Sequence, residues 1–186
     1  MIPLADASSP TSGMLEITSD LQTPQPADLA GRFHSAADYH ALYQSGAATP
    51  LQVAEALLPL VRRDVQPQSK YAVAWTQTDV DGVLAAARAS TARWAAGRPL
   101  GVMDGVPFGV KDDIDVKGFV STMGMRVDKR EEYFNQPREQ TAWPAEKLEE
   151  AGGIMMGKMN QHEVGMDTTG CNVSQPLSSD GTDGES

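Results

Sequence analysis

Lys111 is the residue of this sequence that is best placed to do chemistry. It ends an apolar segment in which Val106, Phe108 and Val110 recur at every second position, which is the period of a half-buried strand. We therefore expect the Lys111 side chain on the face opposite those apolar residues. A lysine at a strand end whose pKa is lowered by burial can accept a proton during catalysis.

An acidic turn follows Lys111 directly and offers a second interpretation. Asp112, Asp113 and Asp115 come next, and Gly118 suits the tight reversal that closes the turn. An ordinary ammonium group paired with one of these carboxylates would explain the lysine equally well. Because charge pairs at strand ends are common, spacing alone favours the ion pair, and only residues outside this segment can decide between the two interpretations.

Helices and strands that alternate along the chain are expected to position this lysine. The spacing of apolar and breaking residues predicts strands over 71–75, 106–111 and 154–156, and helices over 33–43, 49–65, 80–96 and 139–151. This alternation is typical of an α/β fold with buried parallel strands.

The helix ends are marked by local signals. Thr49 and Gln52 form a capping-box pattern at the start of the second helix, and Asp79 is placed to cap the third. Arg62 and Arg63 are expected in the last turn of the second helix, where positive charge complements the helix dipole.

Composition limits the kinds of partner. The chain has 186 residues, a net charge of -10 and a pI of about 4.6, and no basic stripe, so we expect no nucleic-acid partner and favour a small-molecule substrate. No segment reaches the roughly 18 apolar residues of a membrane span, and no secretory signal is visible, so we expect no membrane partner. The single cysteine, Cys171, fits a reducing compartment, and we expect the protein in the cytoplasm. The oligomeric state is not readable from the sequence.

Motifs for metals and phosphates fail on spacing. His34 and His40 lie six residues apart, whereas two ligands on one helix face need a spacing of three or four. His162 and Glu163 resemble the start of a zinc-protease motif, but Met166 stands where the second histidine is needed. The motifs of a calcium loop and of a phosphate-binding loop likewise lack a required residue type at a required position.

Three blocks of sequence, in order, resemble the amino-terminal part of the amidase signature family. They are residues 100–118 (LGVMDGVPFGVKDDIDVKG), 121–124 (STMG) and 148–163 (LEEAGGIMMGKMNQHE). The resemblance extends over roughly residues 49–172. It implies an α/β/α fold around a mixed sheet and hydrolysis of carboxamides through a Ser, cis-Ser, Lys triad, in which Lys111 is the lysine. It implies no metal and no organic cofactor, and it assigns Lys158 a structural role.

The chain departs from the family pattern after Asn172. Residues 173–186 contain no Gly/Ser-rich run that would carry the bridging serine, and residues 181–186 (GTDGES) are one glycine short of the nucleophile segment. We therefore expect a flexible arm over 1–30, the first part of an amidase domain over 31–172 and a divergent polar tail over 173–186.

Two hypotheses follow from this departure. The first is an amidase-family hydrolase of carbon–nitrogen bonds, represented here by the portion that carries the lysine. The second is an inactive truncated fragment or an interaction protein on the same scaffold. We expect this chain alone to lack activity because the serine motifs are missing, and the substrate is left open between aliphatic, aryl and fatty acyl amides and a transamidation role.

Overall fold

The computed structural model describes residues 34–126 and 131–166. The predicted arm over 1–30, Cys171 and the tail over 173–186 lie outside the described residues. The regular elements, in chain order, are α1 (Ala36–Ser45), α2 (Pro50–Val61), β1 (Trp75–Gln77), α3 (Val80–Ala95), β2 (Pro107–Lys111), α4 (Trp143–Glu150) and β3 (Ile154–Met159). Short 3₁₀ turns cover Ala72–Ala74, Glu132–Asn135 and Glu163–Gly165.

The strands form one mixed sheet in the order β1-β3-β2. β3 lies in the centre, parallel to β2 and antiparallel to β1. Within the described residues β2 is therefore an edge strand. The α/β class is confirmed, as is the mixed sheet implied by the family resemblance. The parallel strands predicted from the alternation of helices and strands are found for β2 and β3, but the prediction is wrong for β1, which runs antiparallel to β3.

Helices cover both faces of the sheet. Alternate residues of a strand point to opposite faces. Ile154 and Met156 pack against α2 and α3, whereas Met155 packs with Phe108 against Ala145 of α4 and the segment that follows β2. The result is a three-layer α/β/α arrangement around β3.

A bulge interrupts the pairing of β3 with β2. Phe108 pairs with Met155 and Gly109 pairs with Gly157, so Met156 is an extra residue on β3. Gly157 adopts a φ of 149°, and a Cβ there would collide with the carbonyl oxygen of Gln77 on β1. Glycine at this position therefore allows both the bulge and the close approach of β1.

A buried carboxylate holds the segment that leads into β2. Asp104 is fully buried and accepts hydrogen bonds from Ser90 Oγ (2.6 Å), from Arg93 Nε and Nη2 (2.8 and 2.6 Å) and from the Leu100 backbone N–H (2.9 Å). Burial alone would raise the pKa of Asp104, but the hydrogen bonds from Arg93 and Ser90 outweigh it, and the pKa is lowered. Asp104 thus joins α3 to the start of β2.

The predicted elements are present, but several of their ends differ from the structure. α1 covers Ala36–Ser45 rather than 33–43, and β3 continues to Met159 rather than ending at 156. Three further differences concern α2, β1 and α4. α2 has the expected capping box at Thr49 but ends at Val61, so Arg62 adopts an extended conformation after the helix. The predicted strand over 71–75 is a 3₁₀ turn until Trp75, where β1 begins.

The third difference concerns α4, which begins at Trp143 rather than at residue 139. The preceding residues use their backbone groups to pair with the segment after β2. Arg138 N–H bonds to Phe119 O (2.8 Å) and Ala142 N–H bonds to Asp115 O (2.8 Å). These bonds hold the chain extended, so the helix cannot start earlier.

Among the described residues no helix has the length and apolar character needed to cross a membrane. The longest of them, α3, has 16 residues.

Candidate active site

Lys111 is the last residue of β2, at the carboxyl end of the parallel β2–β3 pair. Open α/β sheets commonly bind ligands beyond this end of their strands. The side chain is 49% exposed, and its Nζ lies 3.0 Å from Asp113 Oδ2, whose side chain is 30% exposed. Val110 is buried on the other face, as the alternation predicted.

Asp112 fastens the turn after Lys111 to the segment 121–124. Its carboxylate is fully buried and accepts hydrogen bonds from the backbone N–H groups of Thr122 (3.3 Å) and Gly124 (3.1 Å) and from the Thr122 hydroxyl. Hydrogen bonds to a charged acceptor are stronger than those between neutral groups. The two sequence blocks that surround these residues are therefore in direct contact.

Lys158 of β3 lies behind the same turn. It is fully buried, and its Nζ donates to the backbone carbonyl of Asp112 (3.1 Å), to the backbone carbonyl of Ile114 and to Ser121 Oγ (3.0 Å). An ammonium group has three N–H donors, and each has an acceptor here. The buried charge is therefore fully hydrogen bonded.

Burial lowers the pKa of Lys158 because the charged form loses water. The carboxylates of Asp112, Asp115 and Asp113 act in the opposite direction, and Arg138 adds to the lowering. The net direction is downward, so this lysine releases its proton more easily than an exposed lysine does.

The segment after β3 closes the site on one side. Val164 N–H bonds to Met123 O (2.8 Å), and both residues have positive φ, 54° and 56°. This conformation is costly for residues with a Cβ, above all for β-branched valine, and it is found where surrounding contacts impose it. A Cβ at Gly165 would lie 3.7 Å from Lys111 Nζ, so this segment passes directly beside the lysine.

The predicted site residue lies where the sequence placed it, but its role is not tested. Within the described residues, Lys111 Nζ donates a hydrogen bond to Asp113, and this contact is the ion pair that spacing alone favoured. The assignment of Lys111 as catalytic lysine stays a prediction. The tail residues 181–186, weighed as a nucleophile segment, lie outside the described residues.

No group of three or more histidine, cysteine, aspartate or glutamate side chains in the described part of the chain could hold a metal ion. A cavity of about 250 Å³ lies at the opposite end of β3, beside Gly153, Glu149 of α4 and Asp79, and Lys111 does not line it.

Sequence reasoning missed the positions of Asp112 and Lys158. Both are charged residues that the structure buries completely. The available signal was the resemblance itself, since Lys158 lies within the third block and was assigned a structural role there. Its contacts with the turn after Lys111 cannot be read from spacing, because they join residues 37 to 46 positions apart.

The chain is similar to known proteins in sequence and in fold. The family model described as Amidase matches residues 61–178. The chain is 32% identical over 145 residues to a fatty acid amide hydrolase of Arabidopsis thaliana, which covers 76% of the chain and 22% of that protein. It is 41% identical over 93 residues to one subunit of the glutamyl-tRNA(Gln) amidotransferase of Salinispora arenicola, covering 50% of the chain and 18% of the relative.

Solved structures give the same likeness. A crystal structure of an amidase superposes with a TM-score of 0.59 at 25% identity, covering 76% of the chain and 30% of that protein. The peptide amidase of Stenotrophomonas maltophilia superposes with a TM-score of 0.59 at 22% identity, covering 69% of the chain and 25% of that protein, which bears on the fold alone. The chain thus spans less than a third of the length of each of these proteins.

Proposed function

Since the chain belongs to the amidase family, we propose that it acts in the hydrolysis of carbon–nitrogen bonds of carboxamides, with Lys111 as the catalytic lysine. The observation that supports this most directly is the position of Lys111. It lies at the carboxyl end of the parallel strands, and buried hydrogen bonds of Asp112 fix the turn that follows. Such a fixed backbone is what a positioned proton acceptor requires.

The proposed reaction uses Lys111 in its neutral form. A bridging serine passes a proton from the nucleophilic serine to the Lys111 amine, while the nucleophile attacks the amide carbonyl and backbone N–H groups hold the oxyanion. Lys111 later returns the proton, through the same serine, to the departing amine. In the described part of the chain, Lys111 Nζ donates instead to Asp113 Oδ2, and neither serine of the triad is assigned.

The ion pair with Asp113 does not oppose this role strongly. Both side chains are partly exposed, 49% and 30%, and partly exposed pairs of this kind contribute only about 0–1 kcal/mol. A bridging hydroxyl that approaches Lys111 can therefore displace Asp113 at small cost. We expect the ion pair between Asp113 and Lys111 to be exchangeable rather than permanent.

The experiment is a serine-directed probe combined with a hydrolysis assay. The chain is treated with a fluorophosphonate, the labelled residue is identified by mass spectrometry, and ammonia release is measured on a panel of aliphatic, aryl and fatty acyl amides. The missing serine motifs predict no turnover for this chain alone; if the chain does release ammonia, Lys111→Met should lower the rate roughly 10²- to 10⁴-fold, which is the usual contribution of general-base catalysis. Lys117→Met is the matched control, because Lys117 is an exposed lysine on the same turn.

A second candidate function rests on the observed pairing of Lys111 with Asp113. An ammonium group held in that pair would be inert, and the chain would then be a non-catalytic fragment or an interaction protein on the amidase scaffold. The same experiment separates the two. Absence of serine labelling together with absence of ammonia release would reject the catalytic proposal and leave the second.

We propose carboxamides as the substrate class and a small-molecule amide as the partner. The relatives named above differ in what their names say they act on, a fatty acid amide in one and glutamyl-tRNA(Gln) in the other. The amide panel is therefore kept broad.

A further inference from the structure

We propose that Lys158 is a positioning residue, which fixes the direction in which Lys111 leaves β2 by holding the backbone of the turn after it. This inference rests on the proposed function of Lys111. It assigns to Lys158 a role in the geometry of the site in addition to its place in the core.

The acceptors that Lys158 uses carry the argument. Two of them are backbone carbonyls of Asp112 and Ile114, which are one and three residues after Lys111. The third is the hydroxyl of Ser121, in the segment that the Asp112 carboxylate also binds. One buried ammonium group therefore holds the turn at two backbone points and joins it to its neighbouring segment.

The strand register shows that Lys158 acts through the backbone. Lys158 pairs with Val110 and Lys111 pairs with Met159. Residues paired across neighbouring strands point to the same face, so Lys158 shares the face of Val110, and Lys111 points to the other. Lys158 therefore lies behind the turn that carries Lys111 and stays out of contact with anything bound in front of it.

The Lys158–Ser121 pair is not itself a second reaction centre. Ser121 is 3% exposed and Lys158 is fully buried, so a substrate cannot reach the hydroxyl. Two of the three Lys158 contacts are to carbonyl oxygens, which can only accept hydrogen bonds. The pair therefore has the chemistry of an anchor rather than of a nucleophile with its base.

The test reads the environment of Lys111 directly. Exposed amines of the chain are converted to ¹³C-dimethylamines with labelled formaldehyde and a mild hydride, and their NMR signals are followed against pH. Lys111→Arg assigns the Lys111 signal by removing it. Lys158 is expected to escape methylation because it is buried. Lys70 and Lys147 are exposed lysines away from the turn and serve as internal references.

Lys158→Met keeps an unbranched side chain that is one atom shorter and removes the donors. We expect it to move the Lys111 signal towards its position in the unfolded chain, while the Lys70 and Lys147 signals stay in place. Ser121→Ala is the matched variant, since it removes one acceptor and leaves both carbonyl contacts. It should leave the Lys111 signal unchanged.

Several results would overturn the proposal. They are a folded Lys158→Met chain with an unchanged Lys111 signal, and a Ser121→Ala chain that moves the signal as far as Lys158→Met does. If Lys158→Met does not fold, Lys158→Gln is measured instead, and failure of both to fold would assign Lys158 to general stability. The readout needs no turnover, so a moved Lys111 signal in a chain without amide hydrolysis would count against the proposed function alone.

Discussion

Asp104→Asn is expected to destabilise the chain severely, because it changes the charge of a fully buried group without changing its shape. Each Asp104 oxygen accepts two hydrogen bonds: one binds Ser90 and Arg93 Nη2, and the other binds Arg93 Nε and the Leu100 N–H. An asparagine replaces one of these oxygens with an NH₂ group. If the NH₂ group replaces the oxygen that binds Arg93 Nε and the Leu100 N–H, two groups that can only donate face a donor. If it replaces the other oxygen, the Ser90 hydroxyl can turn to accept, but Arg93 Nη2 still faces a donor.

The magnitude follows from the loss of the buried negative charge that Arg93 binds and of an acceptor for at least one of its N–H groups. Removing one partner of a buried charged pair costs about 3–5 kcal/mol, and the lower end applies here because the Arg93 side chain is 28% exposed and can turn partly to water. About 3 kcal/mol is a large part of the roughly 5–15 kcal/mol that stabilises a typical domain. It corresponds to a loss of about 6–12 °C in Tm for a chain of this size.

Thermal and urea unfolding followed by circular dichroism measure this effect. Asp64→Asn is the matched control, because Arg62 binds Asp64 with two similar contacts (2.8 and 2.6 Å) at an exposed site. We expect no measurable shift in that variant. Equal shifts in the two variants would refute the view that burial makes the Asp104 pair important.

The pH dependence of the free energy of unfolding provides a second test of the Asp104 site. The pKa of Asp104 is lower in the folded chain than its ordinary 3.8, so the unfolded chain binds more protons in acid. The stabilisation is present above the ordinary pKa and is lost as the pH falls through the folded one. The difference between wild type and Asp104→Asn should therefore shrink in that acidic range.

Three other variants test the strand, the helix and the buried lysine. Gly157→Ala should lower the free energy of unfolding by about 3 kcal/mol, since a φ of 149° is combined with a collision at Gln77. Gly46→Ala, at a left-handed φ of 72° with open space around the position, should cost about 1 kcal/mol. Thr49→Ala should cost about 1 kcal/mol through loss of the α2 capping box, again by urea unfolding. The pKa of Lys158 in the folded chain is below its ordinary value of 10.5. Between the folded and the ordinary pKa the unfolded chain therefore binds more protons, and the free energy of unfolding should rise with pH. Urea midpoints measured up to about pH 10.5 should show this rise for the wild type and not for Lys158→Met.

Elements specified by neighbouring residues were predictable from the sequence. The Thr49–Gln52 capping box and the Asp79 cap begin α2 and α3 where the structure has them. The alternation of apolar residues that ends at Lys111 predicted the strand β2 and the face of the sheet on which Lys111 lies. In each case the interacting groups lie within a few positions of one another, so the pattern contains the information.

Elements specified by distant residues were not predictable in the same way. The start of α4 depends on backbone bonds between residues 138–142 and 115–119, which a local helical pattern does not register. Lys158 is the clearest case in the site. Strict alternation along β3 from Ile154 would place Lys158 on the face that packs against α2 and α3. The extra residue Met156 shifts the alternation by one position, so Lys158 lies on the opposite face, towards the turn after Lys111.

The central position of β3 has a consequence for the order of folding. Its pairing joins Trp75 to Met159 and Pro107 to Ile154, so every strand contact in the described sheet spans a long stretch of chain. By contrast, α2 and α3 are close in sequence and pack directly on each other. Because long-range contacts carry a larger loop-closure cost, we expect the helix pair to form early and the arrangement around Lys111 and Lys158 to form last. Pulsed hydrogen exchange during refolding would then show protection of α2 and α3 before protection of β3.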